Sequence, residues 1–182
     1  MSATTTDRHM DALLVVDMQE GLRLGSPKHE LECVVARINR LSDRVRSRGG
    51  QVIFVQHDGA AGDDFEPTTR NWALLAEVDR AVADRVIHKT LNDAFFGTEL
   101  EHELREIGAT RVLVTGWATD LCVDATVRSA AARGFAVTVV ADAHTVSDRP
   151  HLAAPAVIEH HHWVWTNLIA PTQVSIVPET EL

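Results

Sequence analysis

Short apolar runs alternate along this chain with longer stretches of helical periodicity. Ala12-Leu13-Leu14-Val15-Val16 is the first run. It is continuous, rich in branched side chains and short, the pattern of a strand covered on both faces. Val52-Ile53-Phe54-Val55, Arg111 to Val114, Val137 to Val140 and Val174 to Val177 repeat it, and Val86-Ile87-His88 is a weaker version. From His29 to Arg48, Leu31, Val34, Val35, Ile38, Leu41 and Val45 recur at helical spacing until Gly49-Gly50 stops them. Trp72 to Val82 reads as a short helix. Thr98 to Ile107 reads as another, with Thr98 and Glu101 forming a capping box and Gly108 ending it. Val123 to Arg133, closed by Gly134, and Pro150 to Leu168 complete the helical segments.

Strands alternating with helices specify an α/β fold class: a three-layer, Rossmann-like α/β/α arrangement with a six-stranded parallel sheet and right-handed crossovers. Residues 1–10 are polar and Thr-rich and read as a flexible N-terminal tail, leaving 11–182 as a single domain. With 45% apolar and 24% charged residues the composition is that of a globular protein. A net charge of −9 with scattered basic residues argues against nucleic acid as a partner. No apolar run approaches the ~18–20 residues of a membrane span, and no signal-peptide core follows Met1. Two distant cysteines, Cys33 and Cys122, do not make a disulfide framework. The expectation is a cytoplasmic protein acting on a small molecule.

In a parallel sheet all strand carboxyl ends lie on one edge, where ligands bind. Asp17 ends the first strand, Lys89 ends the third, and Cys122 stands where the fourth strand turns into its helix. The three side chains are expected to converge there. A thiolate is a strong nucleophile, but a free thiol with a pKa of about 8.5 is mostly protonated at neutral pH. A helix N-terminus and the Lys89 ammonium both favour the anion. The Asp17 carboxylate can take the thiol proton and later return it to a leaving amine. The backbone N–H groups of Ala118 and Cys122 are placed to receive an oxyanion. That combination points to attack on a carbonyl or nitrile carbon with a covalent, thioester-type intermediate. Gln19, His57, Phe95 and Trp117 follow strand ends and are the candidate walls of a substrate pocket.

Other features carry less. Cys33 lies one residue off its helical stripe and reads as a small buried or flanking residue. Asp142-Ala143-His144 has metal-ligand spacing, yet a loop-fixing acid and a pocket-rim histidine suit it better. Consecutive residues on a helix point about 100° apart, so His160-His161-His162 cannot chelate together. No glycine-rich nucleotide loop follows the first strand.

The chain resembles the isochorismatase-like cysteine hydrolase superfamily, relatives of nicotinamidase and N-carbamoylsarcosine amidase. The resemblance rests on Leu14-Val15-Val16-Asp17-Met18-Gln19, on His88-Lys89-Thr90 with Asp93-Ala94-Phe95-Phe96-Gly97-Thr98, and on Gly116-Trp117-Ala118-Thr119-Asp120-Leu121-Cys122-Val123 with Thr126. It implies an Asp–Lys–Cys triad at Asp17, Lys89 and Cys122, and a cis peptide between Trp117 and Ala118. It also implies a six-stranded parallel sheet and a homodimer or higher homo-oligomer. Two departures refine it. Where nicotinamidases carry an Asp-x-His metal motif, this chain reads Gln56-His57-Asp58-Gly59, so no metal and no cofactor are expected. Isochorismatases proper lack the cysteine, so cleavage of an amide, lactam or carbamoyl C–N bond is favoured over vinyl ether hydrolysis. The alternatives are an isochorismatase-type vinyl ether hydrolase and a non-catalytic small-molecule-binding or scaffold member of the fold.

Overall fold

The computed structural model describes residues 10–182; the expected tail, apart from Met10, lies outside them. Six parallel strands form one sheet: β1 (Met10–Val16), β2 (Gln51–His57), β3 (Arg85–Lys89), β4 (Ala109–Trp117), β5 (Ala136–Thr145) and β6 (Val174–Val177). Their order across the sheet is β3-β2-β1-β4-β5-β6. The chain starts in the middle, builds outward through β2 and β3, then returns to lay β4 on the other side of β1. The strand order therefore reverses between β1 and β4, the position at which such sheets open a crevice.

Alternation along β1 separates the two cores. Leu13 and Val15 pack with Val34, Ile38 and Leu41 of α1 (Leu31–Ser47) on one face. Ala12, Leu14 and Val16 pack on the other against α2 (Leu100–Glu106), α3 (Asp124–Ala132) and α4 (Ala154–Thr166), through Leu100, Leu104, Val127, Ala130 and Trp165. The five side chains from Ala12 to Val16 are fully buried. Each buried Val or Leu contributes roughly 1.5–3 kcal/mol, so this central strand is the best-anchored element of the sheet. Among the described residues, no helix is long and apolar enough to cross a membrane.

Three local expectations are corrected. Trp72 to Val82 is not helical. Its backbone is taken up by the segment after β1: Leu75 N–H donates to Met18 O at 2.9 Å, while Ala73 O and Asn71 O accept from Glu20 and Gly21 N–H at 2.8 Å each. These tertiary bonds replace helical ones. The capping box is also absent, because α2 begins at Leu100 after Glu99. Thr98 Oγ1 instead donates to Ala94 O at 2.6 Å, and Glu101 accepts from Arg133. β5 runs five residues beyond Val140, to Thr145. Of the two readings of Cys33, the flanking one fits: it is exposed on α1 beside the buried stripe.

Candidate active site

Asp17 leaves β1 with φ of +50°, in the left-handed region, which non-glycine residues adopt only where surrounding contacts hold them. The hold here is the bond from its N–H to Val55 O at 2.8 Å. The residue is 1% exposed. Lys89 ends β3, in register with His57 of β2, and its side chain spans the width of β2 to reach the carboxylate. Lys89 Nζ donates to Asp17 Oδ2 at 2.7 Å, to Leu91 O at 3.0 Å and to Cys122 Sγ at 3.4 Å. One buried ammonium thus joins the carboxylate and the thiol.

Cys122 arrives by a turn rather than at a plain helix start. The Trp117–Ala118 peptide is cis, at the bond the resemblance implied. The Ala118 carbonyl accepts from Leu121 N–H at 3.0 Å and from Val123 N–H at 3.1 Å. The second closure spans five residues, a π-turn over Thr119–Val123, and α3 follows from Asp124. Just before it, Gly116 has φ of +115°, and a Cβ there would lie 2.1 Å from Val16 O. Glycine is what lets β4 pass that close to the end of β1.

The electrostatics differ from the sequence expectation. Burial is the largest influence on Cys122 and pushes its thiol up to about 12. The nearby Asp17 charge pushes the same way, and the Lys89 ammonium only partly opposes them. The resting group is therefore a neutral thiol, which also donates to Asn92 Oδ1 at 3.5 Å. Burial raises Asp17 above the ordinary carboxylate range, against the opposing Lys89 ammonium and Cys122 thiol. A raised carboxylate is a better proton acceptor, and its Oδ1 is buried without a hydrogen-bond partner. The lysine does not create a standing thiolate, because desolvation at 7% exposure outweighs it.

A cavity of about 350 Å³ opens over the thiol, lined by Asp17, Gln19, His57, Asp63, Asp64, Phe65, Asn92, Trp117, Leu121 and Cys122. Phe65 is its central wall, stacked on Trp117 with centroids 6.3 Å apart and met edge-on by His57 at 6.0 Å. Gln19 braces the walls. Its Nε2 donates to His57 O and Trp72 O, and its Oε1 accepts from His57 N–H. Asp58 is engaged by Trp72 Nε1 at 2.7 Å and by His88 Nδ1 at 3.0 Å. Phe95 does not line the cavity. It is 4% exposed and packs in the core on Phe135, under the Arg133 guanidinium. Asn92, Phe65, Asp63, Asp64 and Leu121 are walls that the strand-end argument did not single out. They stand on loops, or in the turn itself, and no periodicity marks them.

Fold and site together define an α/β domain of the parallel-sheet type, built around a buried cysteine at the crevice between β1 and β4. The chain belongs to the isochorismatase family: the isochorismatase domain model matches residues 11–167. Relatives that the chain matches are named hydrolases. A streptothricin hydrolase of Streptomyces noursei is 36% identical over 151 residues, covering 82% of this chain and 59% of the relative. This chain thus spans less than two thirds of that relative's length. The crystal structure of an isochorismatase from Pseudomonas putida KT2440 superposes with a TM-score of 0.86 at 26% identity, covering 96% of this chain and 90% of the other. N-carbamoylsarcosine amidase from Thermoplasma acidophilum shares the fold, with a TM-score of 0.77 at 22% identity over 95% and 98% of the two chains.

Proposed function

We propose that this protein is a cysteine hydrolase that cleaves a C–N bond (amide, lactam or carbamoyl) in a small molecule through a thioester-type intermediate, using Asp17, Lys89 and Cys122. The observation that carries the reading is the single buried ammonium of Lys89, bonded at 2.7 Å to Asp17 and at 3.4 Å to Cys122 on the floor of the cavity. Hydrolase and amidase relatives support the reaction class.

The chemistry starts from a thiol. Asp17 accepts its proton as sulfur attacks the carbonyl carbon, and Lys89 balances the charge that moves between oxygen and sulfur. The carbonyl oxygen becomes an oxyanion held by the backbone N–H groups of Ala118 and Cys122. Protonated Asp17 then gives its proton to the leaving nitrogen, the C–N bond breaks and the acyl group stays on sulfur. In the second half Asp17 takes a proton from water, the resulting hydroxide attacks the thioester, and sulfur departs with that proton. Nucleophile, proton carrier and oxyanion donors all come from the chain, so these steps call on no metal or cofactor.

Incubation with a panel of small amides, lactams and nitriles, read by intact mass, tests the proposal. A mass increase confined to Cys122 is expected, equal to the acyl group for an amide and to the whole molecule for a lactam or nitrile, and Cys122→Ala should abolish it together with turnover. Full activity of Cys122→Ala on any hydrolysed member of the panel refutes the covalent route.

A further inference from the structure

Behind the Cys122 turn lie two packed histidines that the proposed chemistry does not use. The extension of β5 places His144 in register with Gly116, beside the turn. His144 is 2% exposed. Its Nδ1 lies 2.9 Å from Thr119 Oγ1, and its Nε2 lies 3.0 Å from Nε2 of His162 on α4. Thr119 is fully buried and is the first residue of the turn that carries Cys122. Both ring nitrogens of His144 are therefore committed, one to the turn and one to the helix packed behind it.

A neutral imidazole has one donor and one acceptor nitrogen, so the two bonds of His144 run in the same sense from Thr119 through to His162. Burial holds His144 far below the ordinary imidazole range, at about 3, so the ring stays neutral and keeps this single pattern. Trp165 closes over it edge-on, with centroids 5.4 Å apart. The other side of the turn is fixed separately, by the two-pronged bond of Arg149 to Asp120 at 2.6 and 2.7 Å.

We propose that Thr119, His144 and His162 form a one-directional hydrogen-bond relay that sets the position of the Cys122 turn, with His144 as its positioning residue. The inference rests on Cys122 being the nucleophile. A turn held at Thr119 and Asp120 keeps the sulfur and the flanking N–H groups in register with a bound carbonyl. Released at Thr119, it shifts by fractions of an ångström, enough to misdirect an attack that needs close alignment.

The test uses the full chain with 4-nitrophenyl acetate, an activated ester whose acyl group transfers to a thiol with release of 4-nitrophenolate. Thr119→Val keeps the shape and removes the hydroxyl; kcat is expected to fall roughly 10- to 100-fold with KM little changed. Thr119→Ser restores the hydroxyl and most of the rate. Thr119→Val combined with His144→Leu should be no slower than the slower single variant, because both break one relay. Should Thr119→Val fail to fold, His162→Leu at the partly exposed end is the substitute, with the same kcat loss and steady KM expected. Unchanged kcat, no rescue by serine, or additive losses would each overturn the relay. Loss of nitrophenolate release in Cys122→Ala confirms the underlying reading independently, and its retention refutes that reading rather than the relay.

Discussion

Replacing Lys89 by Met tests the site most directly, because it deletes one charge and nearly conserves volume. The ammonium is lost from Asp17 at 2.7 Å, from Leu91 O at 3.0 Å and from the thiol at 3.4 Å, all at 1% exposure of the lysine. Removing one partner of a buried ion pair costs ~3–5 kcal/mol, because the remaining charge is stranded. Proton uptake by Asp17 sets a ceiling on the charge part of that loss. Holding a carboxyl neutral at pH 7 against an unfolded value of 3.8 costs about 4 kcal/mol, at 1.36 kcal/mol per unit. A carboxyl raised in the folded state binds more protons there than in the unfolded chain. Its contribution is complete below the unfolded value and declines as pH rises towards the folded one. The deficit of Lys89→Met should therefore be at most about 4 kcal/mol at pH 7, because burial already raises Asp17 with the ammonium in place, and shrink by up to ~1.4 kcal/mol per unit on acidification to pH 5. Urea unfolding of both proteins at pH 5, 6 and 7, compared by midpoint at constant slope, measures it. A deficit below ~1 kcal/mol at pH 7, or one independent of pH, would show that Asp17 does not depend on this ammonium.

Three further outcomes follow from the same geometry. Gly116→Ala must displace either β4 or Val16, since its Cβ would stand 2.1 Å from Val16 O; a fall in turnover of at least ~100-fold is expected, and near-normal kinetics would show that the strand ends tolerate separation. The Cys122 thiol, pushed up to about 12, should show no thiolate absorbance step near neutrality in a Cys33→Ser background; a step at pH 7–8 contradicts the desolvation argument. His144, held at about 3 against 6.5 when unfolded, binds its proton more readily in the unfolded chain, so stability should decline as pH falls from about 6.5 towards 3. The slope from this one group is at most ~1.4 kcal/mol per unit; His144→Leu should lose that part, and an unchanged slope in acid unfolding refutes the assignment.

Much of this protein is legible in the sequence. Continuous apolar runs such as Ala12 to Val16 mark buried parallel strands because only a strand covered on both faces lacks polar alternation. Their polar ends then place Asp17, Lys89 and Cys122 on one edge, since parallel strands all point the same way. Cys122 was visible at the link between the fourth strand and its helix. These are local signals, written in neighbouring residues.

What the tertiary structure decided lies beyond that range. Strand order put β1 between β2 and β4 and made Lys89 reach across a whole strand to its partner. The helical pattern of Trp72 to Val82 lost to hydrogen bonds from the segment after β1, and the Thr98 capping box lost to a bond with Ala94. Phe95 went to the core and Phe65 to the cavity, though both are phenylalanines on loops. Most consequential is the protonation of Cys122. Its neighbours in sequence suggested a stabilised anion, but the charge state of a group depends on how much water the whole fold removes from it. Desolvation is a property of packing in three dimensions, and here it leaves a thiol that needs Asp17 to take its proton.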